Sequence, residues 1–497
     1  MVLELATIIR AAGGRAMLVG GCVRDELMGI QPKDWDLEIY GVKPERLTAI
    51  LNELVERSVP QYSDPPLMVE QGRTSSGNDV PTNQNFRVPS VNIVGEAFAV
   101  YKIGRYLDVS IPRRDKKSGR GHRGFVIEGD PYMSFEEACS RRDFTINAIL
   151  KDPLTGEIID PFDGQADIRR ECLRHVSDLT FADDSLRVLR AAQFAARLEF
   201  DIDETTVELC NAIDISDLPK ERIWGELEKL LLQAEQPSIG VKWLYDLGVV
   251  RQIFPELQAL IGVPQEPEWH PEGDVDVHTL MVVDEARKLI EGLDHPRSVA
   301  VMVGALCHDL GKPPTTEYVD GRVRSRGHDE AGVEPTLNLL DTLGIFTLDG
   351  YDVRGQIVQL VRYHLKPGEF FNSKSPVGDG AFRRLAAKVE PDLLYRVAKA
   401  DSLGRNPEWL PEEKWFGSEA QEWFIEKVRA LQIEKKAPEP ILMGRHLIDL
   451  GLTPSPQFKK IIDAIYELQM DDEISDLTEA IAAAKKLIDQ SGVDPVS

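Results

Sequence analysis

Apolar and polar positions along the first 150 residues alternate in two different periods. Ala16-Met-Leu-Val19 is a short continuous apolar run that reads as a buried strand; it runs into Gly20-Gly21 and then a helix-like stretch from Val23 to Met28. Asp34-Trp-Asp-Leu-Glu-Ile-Tyr40 alternates with period two, as a half-buried strand does. Residues 58–93 are rich in Pro, Ser, Asn, Gln and Gly and carry little periodicity, which predicts a long flexible insertion inside the first domain. Strands resume at Phe98-Ala-Val-Tyr-Lys-Ile103 and Tyr106-Leu-Asp-Val-Ser-Ile111. After about residue 160 helical periodicity dominates, as in Ser185 to Arg197 and Glu221 to Gln233. Residues 405–440 hold Pro, Trp and Lys clusters and read as a connection, and the chain from Ile441 onward is again helical. No internal repeat of fixed period is present, so a solenoid is not expected.

Composition narrows the classes. A chain of 497 residues implies about three or four domains, and 42% hydrophobic residues supply several buried cores. The net charge of −25 argues against a general nucleic-acid packager. It leaves room for a local basic patch, because phosphate contacts act at short range in physiological salt. Five scattered cysteines without a CxxC pair predict neither a disulfide framework nor a zinc knuckle. No apolar run reaches about 18 residues and the opening residues carry no basic n-region or cleavage pattern, so the expectation is a cytoplasmic protein outside any membrane.

Two constellations carry chemistry. The first begins at Leu18-Val-Gly-Gly-Cys-Val-Arg24, where a strand gives way to a helix through two glycines. Such a junction offers backbone N–H groups to a phosphate, and Arg24 adds a guanidinium fork. Asp34 and Asp36 follow at i and i+2 on a strand, so their carboxylates project from one face and repel unless a cation lies between them. Mg²⁺ suits such a pair, since it takes hard oxygen ligands and substrate phosphates. A third acid, Asp108, lies on another strand. From Lys102 to Arg123 there are eight Lys or Arg against two Asp, a local excess of +6 that suits a triphosphate or a nucleic-acid backbone.

GGCVRDELMG at 20–29, KDWDLE at 33–38, Ser140-Arg-Arg-Asp-Phe-Thr-Ile-Asn-Ala148, Asp160-Pro-Phe-Asp-Gly164, Ala182-Asp-Asp-Ser-Leu-Arg-Val-Leu-Arg190 and Arg222-Ile-Trp-Gly-Glu226 occur in one order. In that order they resemble the class II tRNA nucleotidyltransferase and bacterial poly(A) polymerase family over residues 15–260. The resemblance implies an α+β head of the polymerase-β nucleotidyltransferase type, followed by an all-α neck, body and tail. It implies Asp34 and Asp36 as catalytic ligands of Mg²⁺, and nucleotide contacts from Gly21, Arg24, Arg113, Arg142, Asp143 and Arg190. Asp143 matches the residue that checks the ribose hydroxyl. Asp184 and Arg187, at i and i+3 on a helix, would form an acceptor and a donor fork that select C or A without a template. Asp183 stands where the family commonly has Glu, and Ser185 where it has Pro.

The second constellation runs through Asp274-Val-Asp-Val-His278, His308-Asp309-Leu-Gly-Lys312, Arg326-Gly-His328, His364 and Asp401; six of the nine histidines fall between His270 and His364. Imidazoles and carboxylates together make borderline-hard metal ligands. Five such elements in this order resemble the HD phosphohydrolase superfamily. That likeness implies a second divalent metal, of unspecified identity, on His278, His308, Asp309, His328, His364 and Asp401, and hydrolysis of phosphate esters such as 2′,3′-cyclic phosphates. Trp269-His270-Pro271 strengthens a resemblance to the HD-containing tRNA nucleotidyltransferases, whereas the tail has Ser455-Pro456 in place of their Gly-Pro. The organisation expected is a head at 1–160, a neck at 161–265, an HD domain at 266–405 and a helical tail at 406–497. The implied function is addition of CCA, or part of it, to tRNA from CTP and ATP, with tRNA docking along a basic strip at 102–123 and 141–142. A poly(A), A-only or CC-only enzyme shares the same motifs, and an HD phosphohydrolase with an RNA-binding head is the alternative of a different class.

Overall fold

The computed structural model describes residues 1–58, 91–94, 100–104, 106–117 and 125–491; most of the insertion read at 58–93 lies outside them. The chain forms two compact units, residues 1–191 with 200–217 and residues 192–199 with 218–497.

The first unit is built on a mixed sheet with strands β1 (Arg15–Val19), β2 (Trp35–Tyr40), β3 (Val91–Val94), β4 (Val100–Ile103) and β5 (Leu107–Ser110). After the hairpin β6 (Arg113–Lys117)–β7 (Phe125–Gly129), the short strands β8 (Leu150–Lys151) and β9 (Ile158–Ile159) complete it. The order is β3-β4-β5-β2-β1-β8-β9, and β2 and β5 are its parallel neighbours. Alternation decides what each face does. Leu37 and Ile39 of β2 and Leu107 and Val109 of β5 point into a core shared with helices α1 (Val2–Ala11) and α3 (Pro44–Ser58). Residues of the other parity, Asp36, Glu38 and Asp108, therefore face the opposite side. Between β1 and β2 stands the seven-residue helix α2 (Gly21–Leu27).

The second unit is helical. The helix His295–Cys307 is apolar nearly all round and buried, as a central core helix must be. Around it pack the helices Val275–Leu289, Val353–Tyr363 and Pro391–Leu403. The stretch expected to be a connection at 405–440 is a correction: it contains the helix Glu419–Ala430, which buries Phe424, Ile425 and Val428 and stacks Phe424 on Phe382 at 5.6 Å. Its prolines and tryptophans mask the helical period in sequence. Residues 442–488 close a small core of their own around Leu447, Ile465 and Ala480. All five cysteines are free. Among the described residues no helix is long and apolar enough to cross a membrane.

Candidate functional site

In the first unit the carboxylates gather at the start of β2. Asp34 precedes the strand and Asp36 lies on it, both exposed. The parallel pairing sets Asp36 level with Asp108, and the β4–β5 register sets Asp108 level with Lys102, whose Nζ lies 2.9 Å from Asp108 Oδ2. Partial burial in this cleft raises the Asp36 carboxyl above its ordinary range; repulsion from Asp108 and Asp34 adds to it and Arg142 opposes it. A site that destabilises its own carboxylate charge is one that a cation relieves. Gly20 closes the site from above with φ +72°, and a Cβ there would lie 3.3 Å from Arg142 Nη1 and 3.8 Å from Asp36 Oδ2. The Gly-Gly pair is thus a close approach that a side chain would fill.

Behind the cleft runs a buried polar chain. Arg24, 5% exposed, donates from Nη1 to Asn147 Oδ1 at 2.9 Å and from Nε to Asp25 Oδ1 at 2.8 Å. Asn147 Nδ2 donates to Asp143 Oδ1 at 3.0 Å, and Asp143 Oδ2 accepts from Arg190 Nε and Nη2 at 2.9 and 2.7 Å. Burial opposes the Asp143 charge, but Arg190, Asn147 and the Phe144 N–H hold its carboxyl below the ordinary range. Asn147 went unassigned in the sequence although it lies inside the Arg-Arg-Asp motif; only the fold reveals that it joins Arg24 to Asp143.

Two expectations change here. Asp184 and Arg187 are not both on a helix: the helix begins at Arg187, and Asp184 sits in the turn before it, with Oδ1 accepting from Leu186 N at 3.2 Å. Arg187 donates Nη1 to Thr180 O at 2.7 Å and Nη2 to Arg141 O at 2.5 Å, so its fork is directed at backbone carbonyls. Arg113 and Arg114 open β6 and are exposed, but Arg114 is anchored to Asp130 at 3.0 Å and to Glu137. The basic strip is therefore partly neutralised by neighbouring acids, and its residues 105 and 118–123 lie outside the described residues.

In the second unit all six expected ligands converge and are buried. His278 and Asp401 lie on helices, His308 and His364 occupy C-caps, and His328 opens a one-turn helix. Helix ends leave carbonyls without amide partners, and His308 Nδ1 meets Ala305 O at 2.8 Å, His364 Nδ1 meets Val361 O at 2.6 Å, and His328 Nδ1 meets Ser325 O at 2.7 Å. A carbonyl only accepts, so each Nδ1 carries the hydrogen and each Nε2, the atom turned inward, is the one left to serve as a metal donor. His328 and His364 Nε2 then face each other at 3.2 Å, and His308 Nε2 lies 3.1 Å from Asp309 Oδ2. Facing donor atoms call for a cation, and the imidazole–carboxylate donor set fits a divalent metal. Asp309 belongs to both halves of the cluster, with His278 and His308 on one side and His328 and His364 on the other.

Residues missed in the sequence support these ligands. The side chain of Glu272 is fully buried and sits 2.8 Å from His270 Nδ1 and 2.7 Å from His278 Nδ1, fixing the His278 ring. Burial opposes its charge, yet the two imidazoles push its carboxyl down to about 2. Lys312 Nζ lies 2.7 Å from Asp309 Oδ2 and Arg405 Nη2 lies 3.0 Å from Asp401 Oδ1. Burial works against the Asp309 carboxylate, but His308, Lys312 and His328 hold it well below the ordinary range.

The chain matches the model of the poly A polymerase head domain over residues 16–174, that of the "Probable RNA and SrmB- binding site of polymerase A" over 199–261, and that of the HD domain over 275–406. In fold it is similar to the Bacillus stearothermophilus CCA-adding enzyme in complex with CTP, with TM-score 0.59 and 19% identity over 99% of this chain and 97% of that one. It is 33% identical over 447 residues to the multifunctional CCA protein of Actinobacillus pleuropneumoniae, covering 86% of this chain and 97% of that protein. With the multifunctional CCA protein of Stenotrophomonas maltophilia it shares 39% identity over 401 residues, 78% of this chain and 86% of the relative. The chain belongs to the multifunctional CCA protein family.

Proposed function

We infer that this protein adds CCA to the 3′ end of tRNA from CTP and ATP without a nucleic-acid template, and that this takes place in the cytoplasm. The observation that carries the chemistry is the pairing of Asp36 with Asp108 on adjacent parallel strands, with the Asp34 charge close by and Gly20 and Arg142 against Asp36. Asp34 and Asp36 would hold Mg²⁺, which supplies Lewis-acid polarisation of the α-phosphate and charge neutralisation of departing pyrophosphate. Gly20 and Gly21 let the triphosphate approach the backbone, with Gly21, Arg24, Arg113, Arg142, Asp143 and Arg190 as the nucleotide-binding set. In this reading the Arg24–Asn147–Asp143–Arg190 chain fixes the pocket wall, and Asp184 and Arg187 choose the base, the Arg187 fork exchanging the Thr180 and Arg141 carbonyls for the incoming base. Residues 1–160 are the catalytic head, 161–265 the neck, 266–405 the HD domain and 406–497 the tail.

The experiment is incubation of the purified protein with tRNA lacking one, two or three terminal nucleotides, CTP and ATP being given separately and together. Full CCA repair is the expected product pattern; a long ATP-dependent ladder, or addition of A alone or of CC alone, would replace this reading with its superfamily alternatives. The Asp34→Ala, Asp36→Ala double variant should lose addition by more than a thousandfold, of the order that removing essential catalytic groups costs.

The converging imidazoles favour a second activity. His278, His308, Asp309, His328, His364 and Asp401 would hold a divalent metal, which supplies an activated water for hydrolysis of phosphate esters such as 2′,3′-cyclic phosphates. This activity should survive in the head double variant. Loss of both activities together would return the choice to a single coupled site.

A further inference from the structure

Strand β2 carries two polar side chains that the chemistry of the head has not used. Asp36, Glu38 and Tyr40 share one face of the strand, because side chains two apart point the same way, while Leu37 and Ile39 fill the core behind. Arg142 stands against this row. Its Nη1 and Asp36 Oδ2 both lie within 4 Å of the point where a Gly20 Cβ would stand. Yet among the described residues its ion pair is with Glu38, Nη2 to Oε1 at 3.7 Å, and not with Asp36. That spacing makes an ion pair without a hydrogen bond. Among the described residues no acceptor lies within hydrogen-bonding range of the Arg142 side chain, so its donors stay uncommitted. The Tyr40 hydroxyl donates to Glu38 Oε2 at 2.5 Å, which occupies one carboxylate oxygen and leaves Oε1 to the guanidinium. Tyr40 is itself fixed, 6% exposed and edge-to-face with Phe135 at 4.6 Å.

A guanidinium this close to a metal-binding carboxylate can act in two ways. Paired with Asp36, it takes a ligand from the ion and repels the ion with its own charge; held a step away, it is free to fork onto a phosphate. Glu38 is the partner that holds it a step away, two residues further along the same strand face. We propose that Glu38, braced by Tyr40, is a positioning residue of the nucleotide-addition site: it keeps the Arg142 guanidinium off Asp36, which leaves Asp36 to Mg²⁺ and the arginine's donors to the triphosphate. Glu38 touches neither ion nor nucleotide and acts through Arg142. The proposal rests on the reading of Asp34 and Asp36 as metal ligands and of Arg142 as a nucleotide contact.

The test measures Mn²⁺ binding to the full-length protein from the electron paramagnetic resonance signal of the free ion. The class of sites that the Asp34→Ala, Asp36→Ala variant loses is the head's own, separate from any ion in the second unit. Glu38→Gln should weaken that class by about 10- to 100-fold, the range that loss of a residue supporting a metal ligand costs, because Arg142 then turns to Asp36. Tyr40→Phe should act in the same direction by a smaller factor. Arg142→Gln alone would leave the Glu38 side chain, 13% exposed, without its cation. The decisive variant is therefore Glu38→Gln, Arg142→Gln, which removes both charges. It should bring Mn²⁺ affinity back to within about threefold of wild type, a rescue that a merely structural role of Glu38 does not give. Glu45→Gln, the same loss of charge at an exposed position of α3, should match wild type. With Mn²⁺ raised until the site refills, Glu38→Gln should recover the wild-type kcat of nucleotide addition. The double variant should keep a KM for CTP raised about tenfold or more, as loss of a charge-assisted hydrogen bond predicts. Unchanged Mn²⁺ affinity in Glu38→Gln, or a double variant as weak as the single one, overturns the proposal. An unchanged KM for CTP in the double variant overturns its triphosphate half. If the Asp34→Ala, Asp36→Ala variant binds as much Mn²⁺ as wild type, the metal reading of the head fails by itself, and the proposal falls with it.

Discussion

At the scale of single residues, Asp143 and Arg190 form a pair whose members are unequally buried: the Asp143 side chain is 10% exposed and that of Arg190 is 31% exposed. Removing the arginine leaves a carboxylate in the interior, whereas removing the carboxylate leaves a guanidinium that water can reach. Arg190→Met should therefore cost about 2–4 kcal/mol of stability and Asp143→Asn about 1–2 kcal/mol, an order that urea unfolding would reverse if the pair were not seated this way. Arg187 makes a related case. Two carbonyls 2.7 and 2.5 Å from its Nη atoms need a planar fork, which a lysine lacks. Arg187→Lys should blur the choice between CTP and ATP, seen as misincorporation in single-nucleotide addition assays, while leaving the metal site intact.

At the scale of elements, local order was largely legible. β1, β2 and the helices at 187–198 and 220–233 follow from periodicity within a residue or two, because each has one face to bury. The pairing of β2 with β5 was not legible, since two strands almost seventy residues apart, with the insertion between them, carry no local mark of partnership; yet that pairing brings Asp108 beside Asp36. A glycine explains one motif whose letters alone say little. At Gly311 a Cβ would stand 2.0 Å from His328 O and 2.5 Å from Gly332 N, both backbone atoms. Any side chain there pushes the His328 turn away from Asp309, which His328 Nε2 now approaches to 3.4 Å. Gly311→Ala should weaken metal binding at the second site by at least about tenfold, measured by metal titration, while nucleotide addition by the head persists.

At the scale of the whole molecule, stability couples to protons and metal through the second site. Burial pushes His270 and His364 down to about 4, below the ~6.5 of a free imidazole. Between these values the unfolded chain binds more protons than the folded one, so stability falls as pH drops from about 6.5 to about 4. Calorimetry of the metal-stripped protein should show Tm decreasing through that window, with a shallower slope in His364→Gln. Adding a divalent metal at neutral pH should raise Tm, because a ligand of the folded state alone stabilises it; no change would argue that the cluster binds none. The sequence by itself determined the order of motifs, the spacing of the acid pair, the identity of the six histidines and aspartates that meet in the second unit and the helical second half, because periodicity and residue chemistry are local properties. Only the tertiary structure decided that Asp108 stands level with Asp36, that Asn147 links Arg24 to Asp143, that Arg187 points at carbonyls, and that buried Glu272 aims His278. The Asp36–Asp108, Arg24–Asn147 and Arg187–Arg141 contacts join segments far apart in the chain, whereas Asn147–Asp143, Arg187–Thr180 and Glu272–His278 are near neighbours whose side chains the surrounding fold aims, and no spacing along the sequence encodes either kind.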